Sequence, residues 1–296
     1  MTLRKQQTIA RSVTVSGMGF LTGADITLHF HPAAENTGVA FQRLDLPGTE
    51  PIPATLDFVV PRQRRTAISR GGATVEMTEH VMAALAGLQI DNCLVQLDGP
   101  EPPGGDGSSL HCVQALLDAG IVIQSAERPL LVLEHDCRVT GESDHSEISA
   151  GPVLRRTLVI TFELDYGPRS PIRAQQLTFE FSPELFVTNF SFARTFILEA
   201  EAAALKAQGY GSRITAKDLL IFGSQGPIEN ELRAWDECVR HKILDCVGDF
   251  ALLGCDLQGH FRAYRSGHAL NHAICRQVAA AHRQFEITPD KERHAA

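Results

Sequence analysis

The sequence predicts an α+β protein in which both halves of the chain follow one order of elements. Alternating apolar and polar residues indicate several strands at the start of each half, and two helices with a short strand between them follow. Sheets that carry a pair of helices on one face are typical of the α+β class. A length of 296 residues favours two domains or one large one. The new strand that begins after residues 124–128 favours two, so we predict domains at residues 1–126 and 127–296, and the shared order of elements suggests that they are similar two-layer domains. No letter-by-letter repeat accompanies this order of elements.

The first half is predicted to contain strands and then two helices. Its strands cover residues 12–17, 24–32, 37–41, 65–69 and 93–97. The first helix lies within residues 73–92, with Thr78 as its expected N-cap. Its apolar residues at helical spacing are Met77, Val81, Leu85 and Leu88. A Pro/Gly loop then leads to the second helix, which Asp106 or Ser108 is expected to cap.

The second half is predicted to combine strands with three helices. The strands cover residues 130–135, 156–165, 175–181 and 259–264. The helices cover residues 199–208, 236–250 and 265–282. The first of these helices and a return strand (215–223) make up an inserted segment at about residues 197–222. The terminal residues 287–296 are expected to be frayed.

Composition excludes several classes of partner. The net charge of −8 and the pI near 5.8 provide no basic surface for nucleic acid or for an acidic membrane. No apolar run reaches the length of a membrane span, and the N-terminus lacks the apolar core of a signal peptide. Seven scattered cysteines without a CxxC pair fit a reducing cytoplasm and a metal held by histidine and carboxylate. We predict a cytoplasmic protein and leave its oligomeric state open.

The helix at residues 236–250 is the predicted centre of a functional site. At about 100° per residue, one flank carries the polar side chains His241, Lys242, Asp245 and Asp249, and the other flank is apolar. An imidazole and a carboxylate four residues apart can reach one ion. Taken alone, such a pair is more often a surface ion pair, and a catalytic zinc site needs a third ligand and an open position.

His80 is the candidate third ligand, at the start of the first helix. Its neighbour Glu79 is then placed to act as a general base on water. The alternative is a helix-favouring glutamate beside a hydrogen-bonded histidine, an arrangement that is common. Thr195, after a strand-like stretch, has a hydroxyl that could donate to an oxyanion, or it is only a β-favouring residue.

His268 is the candidate general acid, in the turn before the final helix. An imidazolium donates a proton near neutral pH, and Asp249 is the natural carboxylate to keep His268 protonated. His272, four residues further on, competes for this role. The alternative is a solvated loop histidine without a catalytic function.

Five segments together resemble the family of UDP-3-O-acyl-N-acetylglucosamine deacetylases, which are zinc amidases of lipid A biosynthesis. The segments are TEHVMAALAGLQIDN (78–92), PE and DGSS within 100–109, ARTF (193–196), RHKILDCVGD (240–249) and RSGHALNH (265–272). They follow one another in order, and the resemblance covers residues 7–280. It implies two similar α+β domains whose helices are packed between two outer sheets, with the active site at the domain junction.

The resemblance also implies roles for ten side chains. The zinc ligands are His80, His241 and Asp245. The proton-transfer groups are the general base Glu79, the general acid His268 and its partner Asp249. The groups that stabilise the oxyanion are Lys242 and Thr195. The groups next to substrate are Phe196, in the acyl or sugar pocket, and Arg265, near the diphosphate.

The implied activity is zinc-dependent removal of the N-acetyl group from UDP-3-O-(3-hydroxyacyl)-N-acetylglucosamine. Arg213 and Ile214 stand where the family has a Gly-Gly-Ser stretch, and bulk there would shorten or reroute the acyl passage. The loop PPGGDGSS also lacks the usual apolar residues. Two alternatives stay open: a zinc deacetylase of a different N-acetyl sugar nucleotide, and a non-catalytic sugar-nucleotide binding protein on the same scaffold. No HExxH occurs, which argues against a metalloprotease.

Overall fold

Six helices and several sheets in the described residues confirm the α+β class. The computed structural model describes residues 3–142 and 145–287, so all but the first residue of the predicted frayed tail lies outside the described part. The strands of the first half are β1 (Lys5–Ile9), β2 (Val13–Met18), β3 (Asp25–Pro32), β4 (Val39–Arg43), β5 (Ile52–Pro53), β6 (Val59–Val60), β7 (Ala67–Arg70), β8 (Ala73–Val75), β9 (Cys93–Leu97) and β10 (Ile121–Glu127). Its helices are α1 (Glu79–Gly87) and α2 (Leu110–Ala119).

The second half contains the remaining strands and four helices of the described residues. Its strands are β11 (Leu130–Val132), β12 (Cys137–Thr140), β13 (Glu147–Gly151), β14 (Leu158–Leu164), β15 (Gln175–Glu180), β16 (Phe196–Leu198), β17 (Leu220–Gly223), β18 (Gly226–Pro227) and β19 (Asp256–Tyr264). Its helices are α3 (Pro183–Asn189), α4 (Glu199–Ala207), α5 (Glu237–Phe250) and α6 (His268–Ile287). The predicted insert is observed as α4 flanked by β16, β17 and β18, which form a separate small sheet.

The main sheets of the two halves have the same topology. One has the order β2-β3-β9-β4-β5 and the other β12-β13-β19-β14-β15, with β11 also paired to β19. In each sheet the central strand, β9 or β19, is parallel to one neighbour and antiparallel to the other. The division at residues 126 and 127 stays a prediction. It lies one residue before the end of β10 at Glu127, and β11 begins at Leu130.

The helices lie between the two main sheets. In the first half α2 packs on β2, and in the second half α5 packs on β14 and α6 on β12 and β13. Helix α1 contacts both α2 and α5, so the layers run from sheet to helices to sheet. A single cluster of buried apolar side chains continues through both halves. The core therefore joins the halves through their helices.

Two glycines allow the helices to approach closely. A Cβ at Gly248 on α5 would lie 2.1 Å from the carbonyl oxygen of Glu79 on α1, so only glycine fits at this crossing. Gly87 lies at the end of α1, and a Cβ on it would lie 2.1 Å from the Phe186 ring of α3. At both positions glycine lowers the helix propensity but allows the helix backbone to contact a neighbouring element.

One predicted helix cap is confirmed in position, and the other is wrong. Thr78 occupies the N-cap position of α1, but its hydroxyl donates to the Thr66 carbonyl oxygen (3.3 Å) and not to the helix. The N-cap of α2 is Ser109, without a capping side-chain hydrogen bond, while Ser108 Oγ donates to Asp106 in the preceding turn. The hydroxyls of the two N-cap residues donate outside their helices, that of Thr78 to Thr66 and that of Ser109 to the Ser191 carbonyl oxygen (3.2 Å).

Strand β1 is an element that the alternation of the sequence did not reveal. It pairs with β10 in a separate antiparallel ribbon, although more than a hundred residues separate them. Arg4 precedes this strand and donates to both Asp91 and Asp256, at 2.7 Å in each case. These contacts tie the N-terminus to both halves of the chain.

We predict that Gly248→Ala destabilises the protein. Alanine favours a helix over glycine by about 1 kcal/mol, but here its Cβ meets a backbone oxygen that no rotamer change can move away. The helices must separate, and we expect the free energy of unfolding to fall by about 1–3 kcal/mol, measured by urea denaturation. Gly267→Ala is the matched control, because a Cβ there meets nothing within 4 Å. Equal stabilities of the two variants would contradict the predicted steric role.

Candidate metal centre and catalytic site

Three side chains from the two halves converge beside the crossing of α1 and α5. His80 on α1 and His241 and Asp245 on α5 each present a ligand atom, and these atoms lie within 4.8 Å of one another. Nε2 of His80 lies 3.6 Å from Asp245 Oδ1, and Nε2 of His241 lies 3.5 Å from the same oxygen. Ligand atoms at about 2.0–2.2 Å from a tetrahedral ion are about 3.3–3.6 Å apart. The spacing therefore suits a small divalent cation.

The hydrogen bonds around these side chains leave the ligand atoms available. Among the described residues, no hydrogen-bond partner satisfies the buried Asp245 Oδ1. The Nδ1–H of His241 donates to the Ala193 carbonyl oxygen (3.1 Å), which leaves the Nε2 lone pair facing Asp245. Burial lowers the pKa of His241 to about 4, so its imidazole is neutral at pH 7. A neutral imidazole and an unpaired carboxylate oxygen are the donors that a metal requires.

The second oxygen of Asp245 binds a lysine. Lys242 Nζ lies 2.8 Å from Asp245 Oδ2. Burial disfavours the lysine's charge, but the Asp245 carboxylate outweighs it and the pKa of Lys242 is raised. Burial opposes the charge of Asp245 in the same way, yet His241 and Lys242 hold the pKa of Asp245 well below its usual range. Asp245 is thus an anion whose two oxygens face different partners.

Glu79 lies beside this cluster on α1 and is almost fully buried. Its Oε2 accepts the backbone N–H of Thr66 (3.0 Å), and its Oε1 is 4.0 Å from His268 Nε2. The same Nε2 is 3.9 Å from Asp245 Oδ2. Burial raises the pKa of Glu79, which makes its carboxylate a better proton acceptor.

His268, at the first position of α6, is held by Asp249. The His268 Nδ1–H donates to Asp249 Oδ2 at 2.8 Å, and Asn271 Nδ2 donates to the same oxygen at 2.8 Å. Burial alone would lower the pKa of His268, but the Asp249 anion outweighs it and raises that pKa to about 9. The His268 imidazole is therefore protonated at pH 7, as an acid must be before it donates.

His272, which the sequence left as a competitor of His268 for the role of general acid, does not face the cluster. Its Nε2 lies 3.3 Å from Asp249 Oδ1 and 3.0 Å from Thr66 Oγ1. His268 contacts the other oxygen of Asp249 and turns its free Nε2 towards Glu79 and Asp245. The geometry therefore favours His268 over His272 as the group that faces the cluster.

Thr195 and Phe196 lie at the start of the insert, next to α5. The Thr195 backbone N–H and its Oγ1 both donate to the Gly107 carbonyl oxygen, at 2.7 and 3.0 Å. The Phe196 ring packs edge-on to His241, with ring centroids 5.9 Å apart. Phe196 is thus close to the cluster, whereas the Thr195 hydroxyl is bonded to the loop before α2.

A buried ion pair fixes this segment to α5. Arg194 Nε donates to Glu237 Oε1 at 2.8 Å, and the backbone N–H groups of Arg194 and Arg233 also donate to the Glu237 carboxylate. Glu237 is fully buried on the first turn of α5, one turn before His241. Because these charges are paired and hydrogen-bonded, they fix the segment before Thr195 to the start of α5.

Arg265 directly follows β19. Its guanidinium donates to Asp165 Oδ2 at 2.5 Å and lies over the Tyr264 ring. Its backbone is left-handed, with φ of 50°, which marks a sharp turn into α6. The predicted contact of Arg265 with a diphosphate stays a prediction.

Two functional neighbours were missed by reasoning from the sequence. Asn271 follows His268 by three residues, so helical spacing already placed it on the same side of α6. Thr66, directly before β7, contacts Glu79, Asp249 and His272. No local pattern signals Thr66, because all of these contacts are made by residues distant in the sequence.

Comparison with known proteins identifies the family. The family model described as LpxC: UDP-3-O-acyl N-acetylglycosamine deacetylase matches residues 6–280. Relatives named UDP-3-O-acyl-N-acetylglucosamine deacetylase are 39% identical over 274 residues in Citrifermentans bemidjiense (92% of this chain, 88% of the relative) and 35% identical over 289 residues in Myxococcus xanthus (97% and 90%). One from Mannheimia succiniciproducens is 34% identical over 294 residues (98% and 95%). The resemblance drawn from the five sequence segments is confirmed: this chain belongs to the LpxC family of UDP-3-O-acyl N-acetylglycosamine deacetylases.

Proposed function

We propose that the chain is a zinc-dependent deacetylase of UDP-3-O-(3-hydroxyacyl)-N-acetylglucosamine. It would release acetate and the free amine in the biosynthesis of lipid A. One observation carries this proposal: in a member of a deacetylase family, His80, His241 and Asp245 converge with Glu79 beside them. The substrate is taken from the names of the relatives.

Zinc is the metal that the donor set favours. Two imidazoles and one carboxylate leave a fourth position open, as is typical of catalytic zinc sites. The unpartnered Asp245 Oδ1 and the neutral His241 support a bound cation. When bound, Zn²⁺ supplies a Lewis acid that acidifies water and polarises a carbonyl group.

Glu79 is the proposed general base. It would take a proton from the water that attacks the acetyl carbonyl, and its raised pKa suits this task. Lys242 is held by Asp245 with its charge retained, so its ammonium can stabilise negative charge on the former carbonyl oxygen. The Thr195 hydroxyl would add a hydrogen bond to the same oxygen by exchanging its Gly107 acceptor for substrate.

His268 is the proposed general acid. Its protonated Nε2 faces Glu79 and Asp245, so it can deliver a proton to the glucosamine nitrogen as the C–N bond breaks. Asp249 stabilises the imidazolium until the transfer. The product nitrogen then leaves as an amine and the acyl part as acetate.

The rest of the substrate would extend away from the acetyl group. Phe196, packed against His241, would line the acyl or sugar pocket, and Arg265 would approach the diphosphate. Ile214 is buried in an apolar cluster with Phe20, whereas Arg213 bonds to the Gly23 carbonyl oxygen (2.7 Å) and points out of that cluster. Side-chain bulk at Ile214 would therefore influence which acyl lengths are accepted.

A cytoplasmic location without nucleic-acid or membrane-spanning elements is part of the proposal. None of the described helices combines the length and the apolar character needed to cross a bilayer. The nucleotide sugar would be the only partner that the mechanism requires.

Acetate release tests the proposed function. We expect the zinc-loaded protein to release acetate from the 3-O-acylated UDP-N-acetylglucosamine and not from its unacylated parent. Glu79→Gln should lower kcat by about 10²–10⁴-fold because the base is lost, with zinc still bound. Glu76→Gln is the control, since Glu76 pairs with Arg62 and Arg65 outside the cluster. Release from another N-acetyl sugar nucleotide alone would support the second deacetylase candidate, and zinc binding without any release would support a binding protein.

Metal content tests the ligand set. We expect the purified chain to hold about one Zn²⁺ per molecule, as a mononuclear catalytic site does, and His241→Ala to lose it on dialysis. Elemental analysis gives the stoichiometry. His260→Ala is the control, because His260 bonds to Thr161 on the outer sheet. Unchanged zinc in His241→Ala would contradict the assigned site.

The protonation of His268 gives a pH prediction. Because Asp249 raises the pKa of His268 to about 9, the imidazolium persists through neutral pH and is lost as the pH rises through that value. Asp249→Asn removes the anion, and we expect the midpoint to move to lower pH. Histidine NMR titration of the zinc-free protein measures it. In the zinc-loaded enzyme the alkaline limb of kcat/KM should shift in the same direction in this variant. A midpoint unmoved by Asp249→Asn would contradict the assigned pair.

A further inference from the structure

We propose that Thr66 is a positioning residue that sets the general base and the general acid relative to each other. This inference rests on the proposed function, since it concerns the same site. Thr66 is 1% exposed, belongs to the first half of the chain and directly precedes β7. It contacts Glu79 with its backbone and Asp249 with its side chain.

The backbone of Thr66 is tied to the start of α1. Its N–H donates to Glu79 Oε2 (3.0 Å), and its carbonyl oxygen accepts the backbone N–H of Thr78 (3.1 Å). The Thr78 hydroxyl donates to the same carbonyl oxygen at 3.3 Å. One oxygen of the Glu79 carboxylate is thereby fixed, and the other, Oε1, faces His268.

The Thr66 hydroxyl can only be the donor in its hydrogen bond with Asp249. Asp249 is an anion in a fully buried place and can only accept, so the Thr66 hydroxyl donates to Asp249 Oδ1, 2.6 Å away. The single hydrogen of the Thr66 hydroxyl is then engaged in the bond to Asp249. His272 Nε2, 3.0 Å from Thr66 Oγ1, must therefore carry a hydrogen and donate to that oxygen or to Asp249 Oδ1.

These bonds hold the Asp249 carboxylate in one orientation. Thr66 and His272 occupy Oδ1, while His268 and Asn271 occupy Oδ2. A carboxylate held at both oxygens keeps its plane, and its plane sets the direction of the His268 ring. Nε2 of His268 then stays 4.0 Å from Glu79 Oε1.

Thr66 is thus the link between groups on different halves. Glu79 comes from α1, whereas Asp249 and His268 come from α5 and α6. Removing the hydroxyl would leave the Oδ1 side of Asp249 with the longer His272 contact of 3.3 Å. The carboxylate could then rotate, and His268 would spend less time in the orientation that reaches the leaving nitrogen.

Two substitutions separate positioning from packing. Thr66→Val keeps the shape and removes the hydroxyl, whereas Thr66→Ser keeps the hydroxyl and removes a buried methyl group. We expect Thr66→Val to lower kcat on the order of 10–100-fold, with KM and zinc content near the wild-type values. Thr66→Ser should retain kcat within about threefold even if its melting temperature falls further. A purely structural role predicts the opposite, namely that kcat follows the melting temperature in both variants. Wild-type kcat in Thr66→Val would overturn the proposal.

A second measurement tests the hydrogen bonds of His272 and His268 independently of activity. Histidine ¹⁵N–¹H NMR of the zinc-loaded protein should show His272 with its hydrogen on Nε2, and Thr66→Val should shift the Nδ1–H resonance of His268. An Nε2 of His272 without a hydrogen, or an unshifted His268 resonance, would overturn the positioning role. The proposed function fails separately, if the wild type releases no acetate or if Glu79→Gln keeps full rate.

Discussion

The close crossing of α1 and α5 is the contact on which the site depends. Helix α1 carries Glu79 and His80, and α5 carries His241, Asp245 and Asp249, so neither half of the chain holds a complete ligand set. Gly248 allows the two backbones to meet beside Glu79 itself. Since metal-ligand geometry tolerates displacements of only a few tenths of an ångström, the distance between these helices controls the chemistry as well as the packing of the core.

Two buried carboxylates on α5 are kept anionic in different ways. Asp245 has a lysine on one oxygen and two imidazoles near the other, which suits a cation. Asp249, one turn later, accepts hydrogen bonds on both oxygens and raises the pKa of His268. The desolvation that each charge suffers is offset by these partners. Identical residue types, four positions apart, thereby acquire separate tasks through their surroundings.

Helical periodicity predicted the parts of the site that lie within one element. The spacing of His241 and Asp245 placed both on one flank, and the structure finds their ligand atoms 3.5 Å apart. The same periodicity could have revealed Asn271. Thr66 was not predictable, because its contacts depend on how β7 meets α5 and α6. Thr78 takes the N-cap position that the sequence indicated, but its hydroxyl donates to a tertiary acceptor, the Thr66 carbonyl oxygen. Strand β1 escaped detection because its partner lies more than a hundred residues away.

The equal topology of the two main sheets explains why the site is central but asymmetric. By element order α1 corresponds to α5, each preceding a central strand, and α2 corresponds to α6, each following one. Helices α1 and α5 pack against each other and together carry the proposed metal ligands. The second pair begins differently: α6 starts with His268, whereas α2 starts after a glycine-rich loop whose Gly107 carbonyl oxygen accepts Thr195. The two halves thus share a scaffold, and the residues at the starts of α2 and α6 decide which helix carries the proposed general acid.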